Sequence, residues 1–103
     1  MQNTPLVTVI CLCYNHEKFV IESLNSVLNQ SFTNIELLIA DDCSTDNSVK
    51  IIENWLVNHP EILFKVNKVN IGNTKTFNSL FKQSKGEFII DLATDDVLDV
   101  DCV

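Results

Sequence analysis

The sequence predicts an α/β fold, an open parallel sheet with alternating helices, and three observations carry that expectation. Apolar runs of strand length alternate with segments of helical periodicity along the whole chain. Two of those runs end in paired acids, Asp41-Asp42 and Asp95-Asp96, and a third closes on Tyr14-Asn15-His16. No repeat, linker or low-complexity tract interrupts the alternation, so residues 1–103 read as a single domain. In an open parallel sheet the carboxyl ends of the strands share one rim, and ligands bind along it.

The first strand is expected over residues 6–12. A helix over 17–29 follows, with Val20, Leu24, Val27 and Leu28 on one face and Asn15 or His16 as its cap. Residues 35–40 form a nearly continuous apolar run, as in a strand covered on both faces. The capping residues Ser44-Thr45-Asp46-Asn47 open a second helix that turns Val49, Ile52, Trp55 and Leu56 inward. It stops before Pro60, which restricts the residue ahead of it. A third strand over 62–67 leads to a helix over 73–84 that buries Phe77, Leu80 and Phe81. Gly86 is expected to end that helix in the left-handed conformation, before a fourth strand over 87–92. Right-handed crossovers between parallel strands favour the spatial order 3-2-1-4. That order reverses between strands one and four, beside Tyr14-Asn15 and Asp95-Asp96.

Composition narrows the function. The 46% hydrophobic content suffices for a core at this length. A net charge of −7 argues against a nucleic-acid surface, which normally carries a basic stripe, but leaves nucleotide binding through a divalent ion open. No apolar stretch approaches the roughly 18 residues of a membrane span. The expected location is cytoplasmic, with a parent enzyme allowed to be peripheral at the inner face of the membrane. Cys11, Cys13, Cys43 and Cys102 contain no C-x-x-C pair, so zinc-ribbon and thioredoxin readings fail. Cys11 and Cys13 share one strand face and read as structural thiols. His16 and His59 read as solvated loop residues, and Trp55 as core.

Two adjacent carboxylates about 4 Å apart repel by about 4 kcal/mol at an effective dielectric near 20, and a bound divalent cation offsets that repulsion. Mg²⁺ is commonly held by one or two protein carboxylates, with phosphate oxygens and waters completing its octahedron. The bland alternative for Asp95-Asp96 is a solvated turn continued by Asp99 and Asp101. Asp41 and Asp42 can likewise either order the turn before the second helix or accept an imide N–H from a uracil or thymine ring, on which Tyr14 could pack. With only Gly72 and Gly86 in the chain, no glycine-rich phosphate loop is present. A bound diphosphate would therefore depend on a cation and side chains.

Several stretches, taken in order, resemble the donor-binding half of family-2-type inverting glycosyltransferases of the GT-A fold, a Rossmann-like nucleotide-diphospho-sugar transferase fold. They are Val7-Thr8-Val9-Ile10-Cys11-Leu12-Cys13-Tyr14-Asn15, Ser26-Val27-Leu28-Asn29-Gln30-Ser31-Phe32, Glu36-Leu37-Leu38-Ile39-Ala40-Asp41-Asp42-Cys43-Ser44-Thr45-Asp46, Asn70-Ile71-Gly72, Asn78, Lys85-Gly86-Glu87-Phe88-Ile89 and Ala93-Thr94-Asp95-Asp96. The resemblance implies that Tyr14 and Asp42 meet the nucleotide base, that Asn15 belongs to the same nucleotide-binding set, and that Asp41 braces the turn. It further implies that Asp95 meets the ribose, that Asp96, assisted by Asp95, holds Mn²⁺ or Mg²⁺, and that Lys75 lends positive charge. Three departures accompany it: Ala93 stands where the family commonly has the first D-x-D aspartate, Cys43 replaces a frequent glycine, and Phe77 replaces a frequent arginine.

The implied activity is metal-dependent transfer of a sugar from a nucleotide-diphosphate donor, a UDP-sugar foremost, to an acceptor hydroxyl with inversion. The acceptor could be a glycan, a lipid-linked molecule or another hydroxyl compound, and no nucleic-acid partner is implied. By the same resemblance the chain is a truncated catalytic domain whose general base is expected beyond residue 103. A homo-oligomer through an exposed edge, or through an apolar face around Phe88, Ile90 and Leu92, is allowed. Two competing readings are a metal-dependent aspartyl phosphotransfer or receiver-type domain and a catalytically silent interaction module. The receiver reading wants an acid at the end of strand one, where Cys13-Tyr14-Asn15 stand.

Overall fold

Seven elements alternate in a computed structural model that describes residues 5–32 and 34–98. The strands are β1 (Val7–Cys13), β2 (Ile35–Asp41), β3 (Leu63–Val66) and β4 (Phe88–Ala93), and the helices are α1 (Val20–Leu28), α2 (Ser48–Leu56) and α3 (Asn73–Phe81). The sheet is parallel throughout, in the order β3-β2-β1-β4, as expected. Cys13 lies in register with Asp41, and Leu12 with Ala93, so three strand ends finish side by side. Cys102, Asp99 and Asp101 lie outside the described residues.

Alternation along β1 divides the core. Val7, Val9, Cys11 and Cys13 face α1 and α2, where Val20, Leu24, Val27 and Ile52 pack against them. Ile10 and Leu12 face α3 through Leu80. Each fully buried Leu, Ile or Val contributes about 1.5–3 kcal/mol, so the central pair β1–β2 anchors both layers. Cys11 and Cys13 are buried within this packing, and burial raises both thiols above the usual range.

Several local expectations are corrected. α1 begins at Val20, three residues later than expected, because the His16 carbonyl accepts both Phe19 N–H and Val20 N–H in a preceding turn. Neither Asn15 nor His16 caps it; the cap position is Phe19, with no side-chain bond. Leu28 ends α1 exposed, on the rim of an apolar groove rather than in the core. α2 starts at Ser48, since the capping run before it forms an ordered turn of its own. β3 is a short edge strand with Leu63 and Val66 exposed. α3 ends at Phe81, which is exposed and stacked on Phe77, whereas Thr76 and Leu80 are the residues it buries. Trp55 is half-buried and donates its indole N–H to Asn25 Oδ1 at 3.0 Å. His59 is half-buried against the Trp55 ring, with centroids 4.3 Å apart, rather than solvated. Leu92 is buried and Ile90 half-buried, so of the apolar face expected along β4 only Phe88, 59% exposed, is open.

Gly86 has a different purpose from the one expected. The glycine with a left-handed backbone is Gly72, with φ +90°, and Gly86 has no positive φ. A Cβ at Gly86 would collide with Thr8 Oγ1, and would stand 2.6 Å from Thr8 N and 3.0 Å from Leu6 O. The gap is filled by hydrogen bonds: Gly86 N–H donates to Thr8 Oγ1 at 2.9 Å, and Thr8 Oγ1 donates to Glu36 Oε1 at 2.9 Å. Lys85 N–H also donates to that Glu36 oxygen at 2.8 Å, so β1, β2 and the entry to β4 are fastened at one point. Gly86→Ala forces backbone apart there and should lower stability by about 1–3 kcal/mol. Urea unfolding monitored by Trp55 fluorescence checks this, and an unchanged midpoint would contradict the close-approach account.

Candidate donor site at the strand carboxyl ends

The exits of β1 and β2 are joined by side chains that the sequence places immediately after each strand. Asn15 turns the chain through φ +57°, a conformation asparagine tolerates better than most residues. Its N–H donates to Ser44 Oγ at 2.9 Å, and its Oδ1 accepts Thr45 N–H at 2.7 Å and Asp46 N–H at 3.3 Å. Asp46 accepts Glu17 N–H on one oxygen at 3.1 Å and Ser48 N–H on the other at 2.9 Å, tying the approach to α1 to the start of α2. Asp41 is fully buried and accepts Ser44 N–H at 2.7 Å, with the Ser44 hydroxyl on its other oxygen. It therefore orders the turn in which Cys43 takes φ +65°.

Asp42 is only 3% exposed and organises a third segment. Its Oδ1 accepts Asn67 Nδ2–H at 3.0 Å and Ile71 N–H at 2.9 Å, and its Oδ2 accepts Gly72 N–H at 2.9 Å. Asn67 also donates to Thr76 Oγ1 at 2.9 Å, so the end of β2 reaches the first turn of α3. Burial alone would raise the Asp42 pKa. The bonds from Ile71, Asn67, Gly72 and Thr76 outweigh it and hold the carboxyl below its usual range. Asp46 behaves alike, with burial opposed and outweighed by Ser48 and Glu17.

Beside these turns, at the β1–β4 reversal, a cavity of about 440 Å³ opens. Tyr14 and His16 line it from the β1 exit, Asp91, Ala93 and Asp96 from β4 and beyond, and Asn73 from the start of α3. Tyr14 and Asp96 are thus brought together. Asp41, Asp42, Asn15, Asp95 and Lys75 stand outside the lining, the first two as buried braces and Lys75 exposed on the first turn of α3. A second cavity of about 480 Å³ lies at the opposite, amino ends of the strands, lined largely by Val27, Phe32, Leu37 and Ile62. It has none of the converging strand-end carboxylates.

Sequence reading missed three lining residues. His16 is not a solvated loop residue: its Nδ1 lies 2.8 Å from Thr94 Oγ1 and its Nε2 lies 3.7 Å from Asp95 Oδ2. Asp91 was legible as the polar residue in an apolar strand, since alternation puts it on the face of Ala93, opposite Ile90 and Leu92. Asn73 is legible only as a polar residue opening a helix after Gly72.

The profile of glycosyl transferase family 2 matches residues 8–103. This chain belongs to that family. Among the relatives of this family-2 chain is the chondroitin synthase of Escherichia coli, 33% identical over 103 residues, which cover all of this chain and 15% of that protein. The poly(ribitol-phosphate) beta-N-acetylglucosaminyltransferase TarS of Staphylococcus aureus is 35% identical over 96 residues, covering 88% of this chain and 16% of that one. The structure of S. aureus TarS 1-349 in complex with UDP matches with a TM-score of 0.81 at 33% identity, covering 93% of this chain and 29% of that one. A mannosyltransferase from Pyrobaculum calidifontis, solved with GDP-Man and Mn²⁺, matches with a TM-score of 0.84 over 92% of this chain and 29% of its own; at 23% identity it shows the fold alone. The sheet order and helix placement are therefore those of the GT-A fold.

The donor set suits one kind of cation site. Among the described residues no three His, Cys, Asp or Glu side chains close around a point. Asp96 faces the cavity and uses Oδ1 to accept Val97 N–H at 2.9 Å, leaving Oδ2 available. That fits a Mg²⁺ or Mn²⁺ held by one or two carboxylates and completed by phosphate and water, rather than a protein-only cage.

The low pKa of Asp42 and Asp46 makes acid sensitivity a consequence. A carboxyl depressed in the folded state contributes stability that is fully present above its unfolded pKa and is lost as pH falls through the folded value. Wild type should therefore lose stability steadily as pH falls below the ordinary aspartate value of 3.8. Asp42→Asn should be less stable at neutral pH and show a flatter acid limb in urea titrations across pH. Parallel acid limbs for the two proteins would contradict the assignment.

Proposed function

We propose that this chain is the donor-binding part of a glycosyltransferase that takes a sugar from a nucleotide-diphosphate donor, foremost a UDP-sugar, and passes it with inversion to an acceptor hydroxyl. The carrying observation is the convergence of Tyr14, Asp91 and Asp96 on one cavity at the β1–β4 reversal, beside the braced Asp42. Family membership supports the reaction class, and two TarS structures, at 33% and 34% identity, are described with UDP and with UDP-GlcNAc.

In this reading the nucleotide enters between the β1 and β4 exits. Tyr14, partly exposed, offers its ring to the base. Asp42 is the carboxylate we assign to the single imide N–H of uracil, whereas the matching ring nitrogen of cytosine carries no hydrogen. To accept it, Asp42 must exchange one of the bonds from Ile71, Asn67, Gly72 and Thr76 that fill it in the nucleotide-free protein. Asn15 acts through the turn that its carboxamide fixes. Asp95 meets the ribose, Asp96 holds the cation, and Lys75 lends charge near the diphosphate. When bound, the divalent ion neutralises charge on the departing diphosphate. The acceptor is a glycan, a lipid-linked molecule or another hydroxyl compound.

Titration calorimetry with UDP, with and without Mn²⁺, tests the reading. Wild type should bind UDP in a Mn²⁺-dependent manner, and Asp96→Asn should lose that dependence with its melting temperature nearly unchanged. Unaltered UDP affinity in the variant would remove the metal assignment. Absence of UDP binding by wild type under both conditions would overturn the donor reading itself.

A further inference from the structure

We infer that His16 is a positioning residue of the donor site: the Thr94 hydroxyl gives its hydrogen to Nδ1 and so fixes the ring with the proton on Nε2, and that N–H holds the Asp95 carboxylate toward the nucleotide. The functional half of this inference rests on the proposed role of Asp95 at the ribose.

His16 is held at both ends. Its backbone N–H donates to Ser48 Oγ at 3.0 Å, and its carbonyl accepts Phe19 N–H and Val20 N–H at 2.9 Å each. Its ring forms part of the cavity wall, with Nδ1 2.8 Å from Thr94 Oγ1. Thr94 is fully buried, so its hydroxyl is satisfied by protein groups.

Counting hydrogens gives the direction. The Thr94 hydroxyl can either give a hydrogen to His16 Nδ1 or take one from it, and the Asp95 carboxylate facing Nε2 selects the first: a neutral imidazole with an accepting Nδ1 carries its hydrogen on Nε2. The reverse order would leave a bare Nε2 lone pair facing the Asp95 carboxylate at 3.7 Å, two acceptors opposed. In the forward order, a movement of about 0.8 Å closes that gap to an ordinary N–H···O bond. The tether also draws Asp95 toward His16, so that Asp96 is the carboxylate left to face the cavity.

Nitrogen-15 spectra of the imidazoles in nucleotide-free wild type, above the usual imidazole titration range, read the tautomer directly and require no variant to fold. The Nε2–H form is expected for His16, identified by its loss in His16→Gln, and a dominant Nδ1–H form or an even mixture overturns the assignment. Calorimetry with UDP and Mn²⁺ reads the consequence. His16→Phe should weaken UDP by about tenfold, while His16→Gln, whose amide N–H stands near the position of Nε2, should stay within about threefold of wild type. UDP binding by His16→Phe equal to wild type overturns the positioning role. If wild type binds no UDP, the donor reading falls and takes the role of Asp95 with it, while the tautomer still decides the direction of the Thr94–His16 bond.

Discussion

The carboxylate of Asp42, closed off from solvent and held by Asn67, Ile71 and Gly72, is the constraint on which the rest of the site depends. A buried charge is costly unless it is hydrogen-bonded, and here three donors from one loop supply the bonds. The loop has no regular structure between β3 and α3, so those bonds decide where α3 begins and where Asn73 stands. Gly72 fits this arrangement because its φ of +90° lets successive N–H groups of Ile71 and Gly72 converge on one carboxylate.

A second carboxylate does the corresponding work on the other side. Asp41 orders the Ser44 turn, and Asn15 crosses from the β1 exit to hold Thr45 and Asp46. The adjacent acids of β2 thus divide between two loops, and neither is a free surface charge. Cys43, immediately after them, occupies a left-handed conformation at φ +65° that costs a non-glycine residue roughly 1–2 kcal/mol. The turn that a glycine would favour is therefore retained without one, its geometry imposed by the bonds around it.

The fold was legible because its signals are redundant. Apolar runs, helical spacing and the crossover rule all pointed to the parallel order β3-β2-β1-β4, and each tolerates errors of two or three residues at element ends. The site was legible only at strand ends. Tyr14, Asp42 and Asp96 could be named from position, but the buried bracing by Asp42 depends on a loop some thirty residues later, which no local pattern reveals. His16 was misread for the same reason, since its partners Ser48, Thr94 and Asp95 are remote in sequence. Gly86 shows the converse. It was expected as a left-handed helix end, but the cause of its glycine is the close approach of a neighbouring strand rather than its own backbone conformation.

The acid-rich character of the rim bears on how phosphate can be held there. Asp91 and Asp96 line the cavity, Asp95 stands beside it, and the chain carries a net charge of −7. A diphosphate brought alone to such a surface meets repulsion, and no glycine-rich loop offers converging N–H groups to counter it. The adjacent Ile71 and Gly72 N–H groups are already spent on Asp42. Ala93 removes one carboxylate where the family commonly has one, which lessens the repulsion. Asp91 lies on the same strand face two residues earlier, about 6.6 Å along the strand, too far to reproduce that position with its backbone unmoved. On the proposed donor reading, the remaining charge favours a cation entering with the nucleotide, with Asp96 as the protein's contribution and the phosphates supplying much of the coordination.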